Sequence, residues 1–133
     1  MSAIVVDAAF HIHRELGPGL LESVYETVLA HELRGSGLSV ARQLVVPIEF
    51  RGIKLDEGLR LDLLVEGKLV VELKSVEVML PIHTKQLLTY LRLLHLPLGL
   101  LLNFGTAMFR DGVKRVVNDH RNSEDSRLRI NQT

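Results

Sequence analysis

The chain has 133 residues, 47% of them apolar, with 16 basic and 16 acidic side chains, a formal net charge of zero and no cysteine. That composition fits one compact domain and excludes whole-chain disorder, a disulfide framework and a thiolate metal site. The start of the chain has neither a basic cluster nor a sustained apolar run, and the most apolar stretch, Leu91 to Leu102, is broken by Arg92, His95, Pro97 and Gly99. Neither a signal peptide nor the roughly 20 apolar residues of a membrane-spanning helix is expected, and a cytoplasmic location is the default.

From Ala3 to Leu16 the residues Val5, Ala8, Ala9, Ile12 and Leu16 recur at helical spacing until Gly17-Pro18-Gly19 stops the pattern. A second helix is expected from about Leu20 to Arg34, with Leu21, Val24, Tyr25, Val28 and Leu29 as its buried stripe and Gly35-Ser36-Gly37 closing it. Leu44 to Phe50, Leu59 to Val65 and Leu69 to Val76 are rich in Leu, Val and Ile, are separated by glycine-containing turns, and predict three strands. Between Pro81 and Pro97 the pattern is helical again, with Leu87, Leu88, Leu91 and Leu94 on one side. Leu98 to Phe104 reads as a buried strand, and Ala107 to Val117, with Asp111-Gly112 at its centre, predicts a short hairpin. The result is a single α/β (α+β) domain over residues 1–117. From Asn118 to Thr133 the sequence is polar and aperiodic and reads as a loosely ordered tail.

Three ionisable residues, Asp62, Glu72 and Lys74, interrupt otherwise apolar strands. In a hairpin with its loop centred on Gly67, residues whose numbers sum to 134 face each other, so Asp62 lies opposite Glu72, with Cβ atoms about 5 Å apart. Alternation along the strand puts Lys74 on the same face as Glu72, while Val71 and Leu73 turn into the core. Two carboxylates that close repel, and a divalent ion between them relieves the repulsion. Asp and Glu oxygens with the backbone carbonyl of Leu73 form a hard donor set suited to Mg²⁺ or Mn²⁺. Such an ion polarises a phosphoryl oxygen and acidifies a bound water, and an adjacent lysine orients that water or stabilises developing negative charge, so metal-assisted phosphodiester hydrolysis is the matching chemistry. Taken singly, each of the three is better explained as part of the solvated face of a half-exposed sheet; it is their joint spacing around a glycine turn that points to a site. Two further groups add weight. Glu22 and Tyr25 lie on one face at the start of the second helix, where Glu22 is either a first-turn residue favoured by the helix dipole or a third carboxylate for the metal. Gln86 and Tyr90, four residues apart on the third helix, either form an amphipathic flank or contact a phosphate or support the lysine.

The string Gly19-x-x-Glu22-x-x-Tyr25, followed by Asp62, Glu72-x-Lys74 and Gln86-x-x-x-Tyr90, resembles the GxxExxY proteins, a branch of the PD-(D/E)XK nuclease superfamily, over about residues 4 to 117. The resemblance implies a restriction-endonuclease-like core, a mixed central β-sheet flanked by helices, with Mg²⁺ bound at the acidic positions. Carried across, Glu22 matches the helix glutamate, Asp62 and Glu72 the metal carboxylates, Lys74 the catalytic lysine, and Gln86 with Tyr90 the supporting helix motif. Arg60 and Leu61 stand before the aspartate where many relatives have other residues, including proline.

The expected activity is that of a metal-dependent nuclease acting on DNA or RNA. The alternatives are a non-catalytic nucleic-acid-binding or assembly module on the same scaffold, and a hydrolase of a small phosphate compound. Residues 1–84 carry 8 basic and 12 acidic groups and residues 85–133 carry 8 and 4, so Lys85, Arg92, Arg110, Lys114 and Arg115 are candidates for lining a phosphate groove. His11-x-His13 invites a zinc reading, but helix neighbours two apart point in different directions, so surface histidines are expected; His83 reads as a helix-start residue. Leu93, Leu96 and Leu98 offer a candidate homodimer surface, with burial in the monomer the simpler account.

Overall fold

The computed structural model describes residues 1–119. Two helices, α1 (Ser2–Leu16) and α2 (Glu22–Gly35), precede a three-stranded meander of β1 (Val40–Phe50), β2 (Ile53–Val65) and β3 (Leu69–Lys74). A third helix, α3 (Pro81–Leu94), leads to β4 (Leu98–Asn103), and a 3₁₀ turn over Phe109–Gly112 leads to β5 (Val113–Val117). The five strands lie in chain order, antiparallel except for β3 and β4, which are parallel because α3 carries the chain back across the sheet. Among the described residues no helix is long and apolar enough to cross a membrane.

The sheet separates two cores. On one face α1 and α2 pack Val5, Ala9, Ile12, Tyr25, Leu29 and Leu33 against Leu63, Val65, Leu69, Val71, Leu73, Leu100 and Leu102. On the other, Leu87 and Leu91 of α3 pack against Leu59, Leu61, Val70, Leu101 and Val116. Central strands covered on both sides read as continuous apolar runs, which accounts for Leu69–Val71 and Leu100–Leu102. Leu61 and Leu63, two residues apart, lie in opposite cores, so β2 rolls between them. The same happens on β1, where Val40 packs toward α1 and α2 while Leu44 packs toward α3. The roll falls at Gln43 and Asp62.

The GPG segment is a tight reversal that tyrosine locks. Gly17 and Gly19 sit at φ +72° and +102°, a region that favours glycine. The Tyr25 hydroxyl donates to the Gly17 carbonyl at 2.5 Å and accepts from the Leu20 N–H at 3.1 Å, while its ring stacks on Phe104 at 4.4 Å. Gly19 and Tyr25 therefore act as fold determinants.

Several expectations are corrected. The buried ridge of α2 is Tyr25, Glu26, Leu29, Ala30 and Leu33; Leu21 and Val24 are exposed, because α2 docks one residue further round than its apolar pattern suggests. Strands β1 and β2 form a longer arm than Leu44–Phe50 and Leu59–Val65, closed by Arg51-Gly52 at positive φ and accommodating a register shift between Val46 and Ile48. No hairpin forms over Ala107–Val117: Phe109 is drawn into the core beside His13 and Phe104, and the chain leaves the 3₁₀ turn to pair with β4. His13 is buried, with Nε2 2.8 Å from the Thr106 carbonyl, whereas His11 is exposed. Leu96 and Leu98 pack within the monomer, leaving Leu93 exposed. Asn118 is anchored rather than loose, its N–H donating to the Pro97 carbonyl and its side chain to the Leu96 carbonyl. The remainder of the expected tail, residues 120–133, lies outside the described residues.

Candidate active site

The register around Gly67 is the one that places numbers summing to 134 opposite each other: Val65 with Leu69, Leu64 with Val70, Leu63 with Val71. The ladder stops there, one step short of Asp62 and Glu72, and their side chains continue it. The Asp62 N–H donates to Glu72 Oε2 at 2.7 Å, and the Leu73 N–H donates to Asp62 Oδ2 at 2.8 Å. This reciprocal pair occupies one oxygen of each carboxylate and leaves Asp62 Oδ1 and Glu72 Oε1 directed elsewhere. The site thus sits in the fork where β2 and β3 part.

Backbone alternation places a further oxygen there. The Lys74 carbonyl accepts from the Phe104 N–H and so points toward β4. The N–H and C=O of one strand residue share a side, and neighbouring residues alternate, so the Leu73 carbonyl lies on the β2 side with its own N–H. Leu73 itself is buried in the α1/α2 core, while Glu72 and Lys74 are half-buried.

Burial, and then the charge of Asp62, push the Glu72 carboxyl up to about 8. Burial also raises Asp62, opposed by the Leu73 N–H, with the Glu26 charge adding to the rise. The Lys74 ammonium lowers both, which puts its charge near the pair. On α3, the Gln86 Nε2 donates to the Tyr90 hydroxyl at 2.9 Å, and burial followed by the Glu72 charge raises the Tyr90 phenol. Asp62, Glu72, Lys74 and Tyr90 are thus electrostatically coupled, with Gln86 tied to Tyr90 by its hydrogen bond.

Glu22 does not join it. It lies on the exposed first turn of α2, lining a shallow depression with Leu20, Leu21, Ser23 and Ser75. The helix glutamate whose charge reaches Asp62 and Glu72 is Glu26, one turn further along, where α2 approaches the roll in β1. Glu26 is 6% exposed and is held by Arg42 at 3.1 Å and by the Gln43 Nε2 at 2.6 Å. Sequence reading overlooked Glu26, Arg42 and Gln43. A signal was present for Glu26, which stands three and four residues before the apolar Leu29 and Ala30, inside the helix's buried ridge.

The basic residues do not share one groove. Lys85 and Lys114 line a depression of about 400 Å³ with Asp111, and Arg110 and Arg115 line another of about 610 Å³ against α1. Arg115 also donates to the Ser2 hydroxyl at 2.7 Å. His83 is a helix-start residue, its Nδ1 accepting from the Leu80 N–H.

Among the described residues no group of three or more His, Asp or Glu could hold a metal ion, and Glu26 is held by Arg42 and Gln43. Asp62 Oδ1, which has only the long 3.4 Å contact with the Gln43 amide, Glu72 Oε1 and the Leu73 carbonyl nevertheless fit a small hard cation that keeps several of its waters. A pair that resists its own charge will take up either a proton or a cation. Without metal, the folded chain holds a proton on Glu72 that the unfolded chain releases above about pH 4.5. Stability is therefore lost as pH rises toward about 8, and Asp62 adds in the same direction. Urea unfolding in chelator is expected to show a lower midpoint at pH 8 than at pH 5, with Glu72→Gln flattening the difference; equal midpoints in the wild type would refute this.

A mixed five-stranded sheet flanked by helices, with a carboxylate pair and a lysine at the fork of two central strands, defines a restriction-endonuclease-like α/β domain. The chain belongs to the PD-(D/E)XK nuclease superfamily, whose sequence pattern matches residues 1–116. Comparison with curated proteins and with solved structures gave no match.

Proposed function

We propose that this protein is a divalent-metal-dependent nuclease of the GxxExxY branch, hydrolysing phosphodiester bonds in DNA or RNA. The observation that supports this reading is the interlocked Asp62–Glu72 pair at the end of the β2–β3 ladder, with the Lys74 charge beside it. Asp62, Glu72 and the Leu73 carbonyl would hold Mg²⁺ or Mn²⁺. When bound, the ion would supply Lewis-acid polarisation of a phosphoryl oxygen and a more acidic water. Lys74 orients that water and offsets negative charge developing on the phosphorus oxygens. Gln86 fixes the Tyr90 hydroxyl on the α3 side of the site, where it can donate to a phosphate oxygen. Glu26, paired with Arg42, supports Asp62 through Gln43 in place of the role expected of Glu22.

The test combines binding and turnover. Calorimetric titration of Mn²⁺ is expected to show binding that Asp62→Asn weakens by about 10-fold or more, as loss of a charged ligand should. Purified protein incubated with labelled single- and double-stranded DNA and RNA is expected to cleave at least one of them with Mn²⁺ and none with chelator. Unchanged affinity in the variant would remove Asp62 from the ligand set. Nucleic-acid binding without cleavage in any metal would point to a non-catalytic module, and turnover confined to mononucleotides to a small-phosphate hydrolase.

A further inference from the structure

Gln43 carries a side chain yet sits at φ +48° in the middle of β1. Left-handed backbone at such a residue is sparsely populated and persists where the surroundings demand it. Its consequence is geometric. An unbroken strand would send neighbouring side chains to opposite faces, but Arg42 and Gln43 both reach Glu26, one to each carboxylate oxygen. The pairs on either side, Arg42 with Leu63 and Leu44 with Leu61, put Gln43 across from Asp62. There its Nε2 donates to Glu26 Oε1 at 2.6 Å and lies 3.4 Å from Asp62 Oδ1. That Oδ1 is the oxygen left over once Oδ2 has accepted the Leu73 N–H.

We propose that Gln43 is a positioning residue: the left-handed break in β1 turns its amide into the gap between Glu26 and Asp62, where one nitrogen clamps both acids and aims the outward oxygen of Asp62. The use of that aim for a divalent cation rests on the metal-dependent reading; the clamp itself does not. An amide suits the place because it offers two hydrogens to two carboxylates without adding a charge. A glutamate would add a further negative group, and a lysine would bring a cation of its own to the acids. The pairing register runs unbroken through Gln43, so the break is local backbone strain of the sort that clusters at functional sites.

Glycine adopts positive φ freely, so Gln43→Gly removes the amide while leaving the backbone break in place. Asparagine also tolerates that backbone and keeps an amide one methylene shorter. Calorimetric titration of Mn²⁺ into the full chain is expected to give an affinity about 10-fold weaker or more for Gln43→Gly, the usual consequence of removing a group that orients a ligand. Gln43→Asn is expected to recover part of the loss, and the far-ultraviolet circular dichroism of both variants should match the wild type. Wild-type affinity in Gln43→Gly would overturn the proposal. Should the wild type bind no Mn²⁺, the metal-dependent reading fails, and the clamp is decided by urea unfolding of Gln43→Gly, Asp62→Asn and the double variant. Fold-changes in the unfolding constant that fail to multiply in the double variant would support it, and fold-changes that multiply would overturn it.

Discussion

Lys74→Ala is expected to lower metal-dependent phosphodiester cleavage by about 10²- to 10⁴-fold, the range associated with a positioned group that handles a proton or charge in the transition state. Lys74 closes β3, two residues beyond Glu72 on the same face, and its charge bears on both carboxylates. Alanine keeps the backbone contact that fixes this strand end, the hydrogen bond from the Phe104 N–H to the carbonyl of residue 74. The variant should therefore fold and bind Mn²⁺ at least as well as the wild type, because a cation has been removed from beside the acids proposed to hold the metal. Arginine is expected not to restore the rate, since its planar, permanently charged fork cannot replace a compact ammonium at a water molecule. Single-turnover cleavage assays in Mn²⁺ check this. A rate for Lys74→Ala within tenfold of wild type would take the lysine out of the chemistry.

Asn103→Ala is expected to destabilise the fold by about 3 kcal/mol or more, from three hydrogen bonds at about 1 kcal/mol each and the further cost of stranding their buried partners. Asn103 ends β4 and is fully buried. Its Oδ1 accepts from the N–H groups of Val76 and Gly105 at 3.0 and 2.9 Å, and its Nδ2 donates to the Val76 carbonyl at 2.9 Å. The packing leaves little slack, since a Cβ on Gly105 would lie 2.3 Å from the Val76 carbonyl oxygen. This amide ties the chain leaving Lys74 to the neighbouring strand, so its loss should loosen the strand end that carries the lysine. Urea unfolding measures the effect. A destabilisation below about 1 kcal/mol would mean that water or a local shift replaces the lost bonds.

Much of the architecture was legible in the residues themselves. Glycine and proline punctuation located all three helices, and the loop at Gly67 set the β2–β3 register that places Asp62 and Glu72 together. Those features are local: turn geometry fixes which residues face each other, and side-chain alternation fixes the face. The Asp111-Gly112 pair misled for the complementary reason, because burying Phe109 against Phe104 outweighed the local preference for a hairpin.

Only the tertiary structure decided which helix glutamate comes within reach of the acids. Glu22 and Glu26 stand one turn apart on the same helix; spacing hints that Glu26 lies on the buried ridge but does not say which acids it meets. The choice depends on where α2 crosses the sheet and on the roll of β1 and β2 at Gln43 and Asp62, which presents Arg42 and Gln43 together to Glu26. Such a roll arises from contacts between segments far apart in the chain, so no periodicity within either strand announces it. The sequence by itself determined the order of elements as far as β4 and the facing of Asp62 and Glu72; long-range packing determined the end of the chain and how the acids are held.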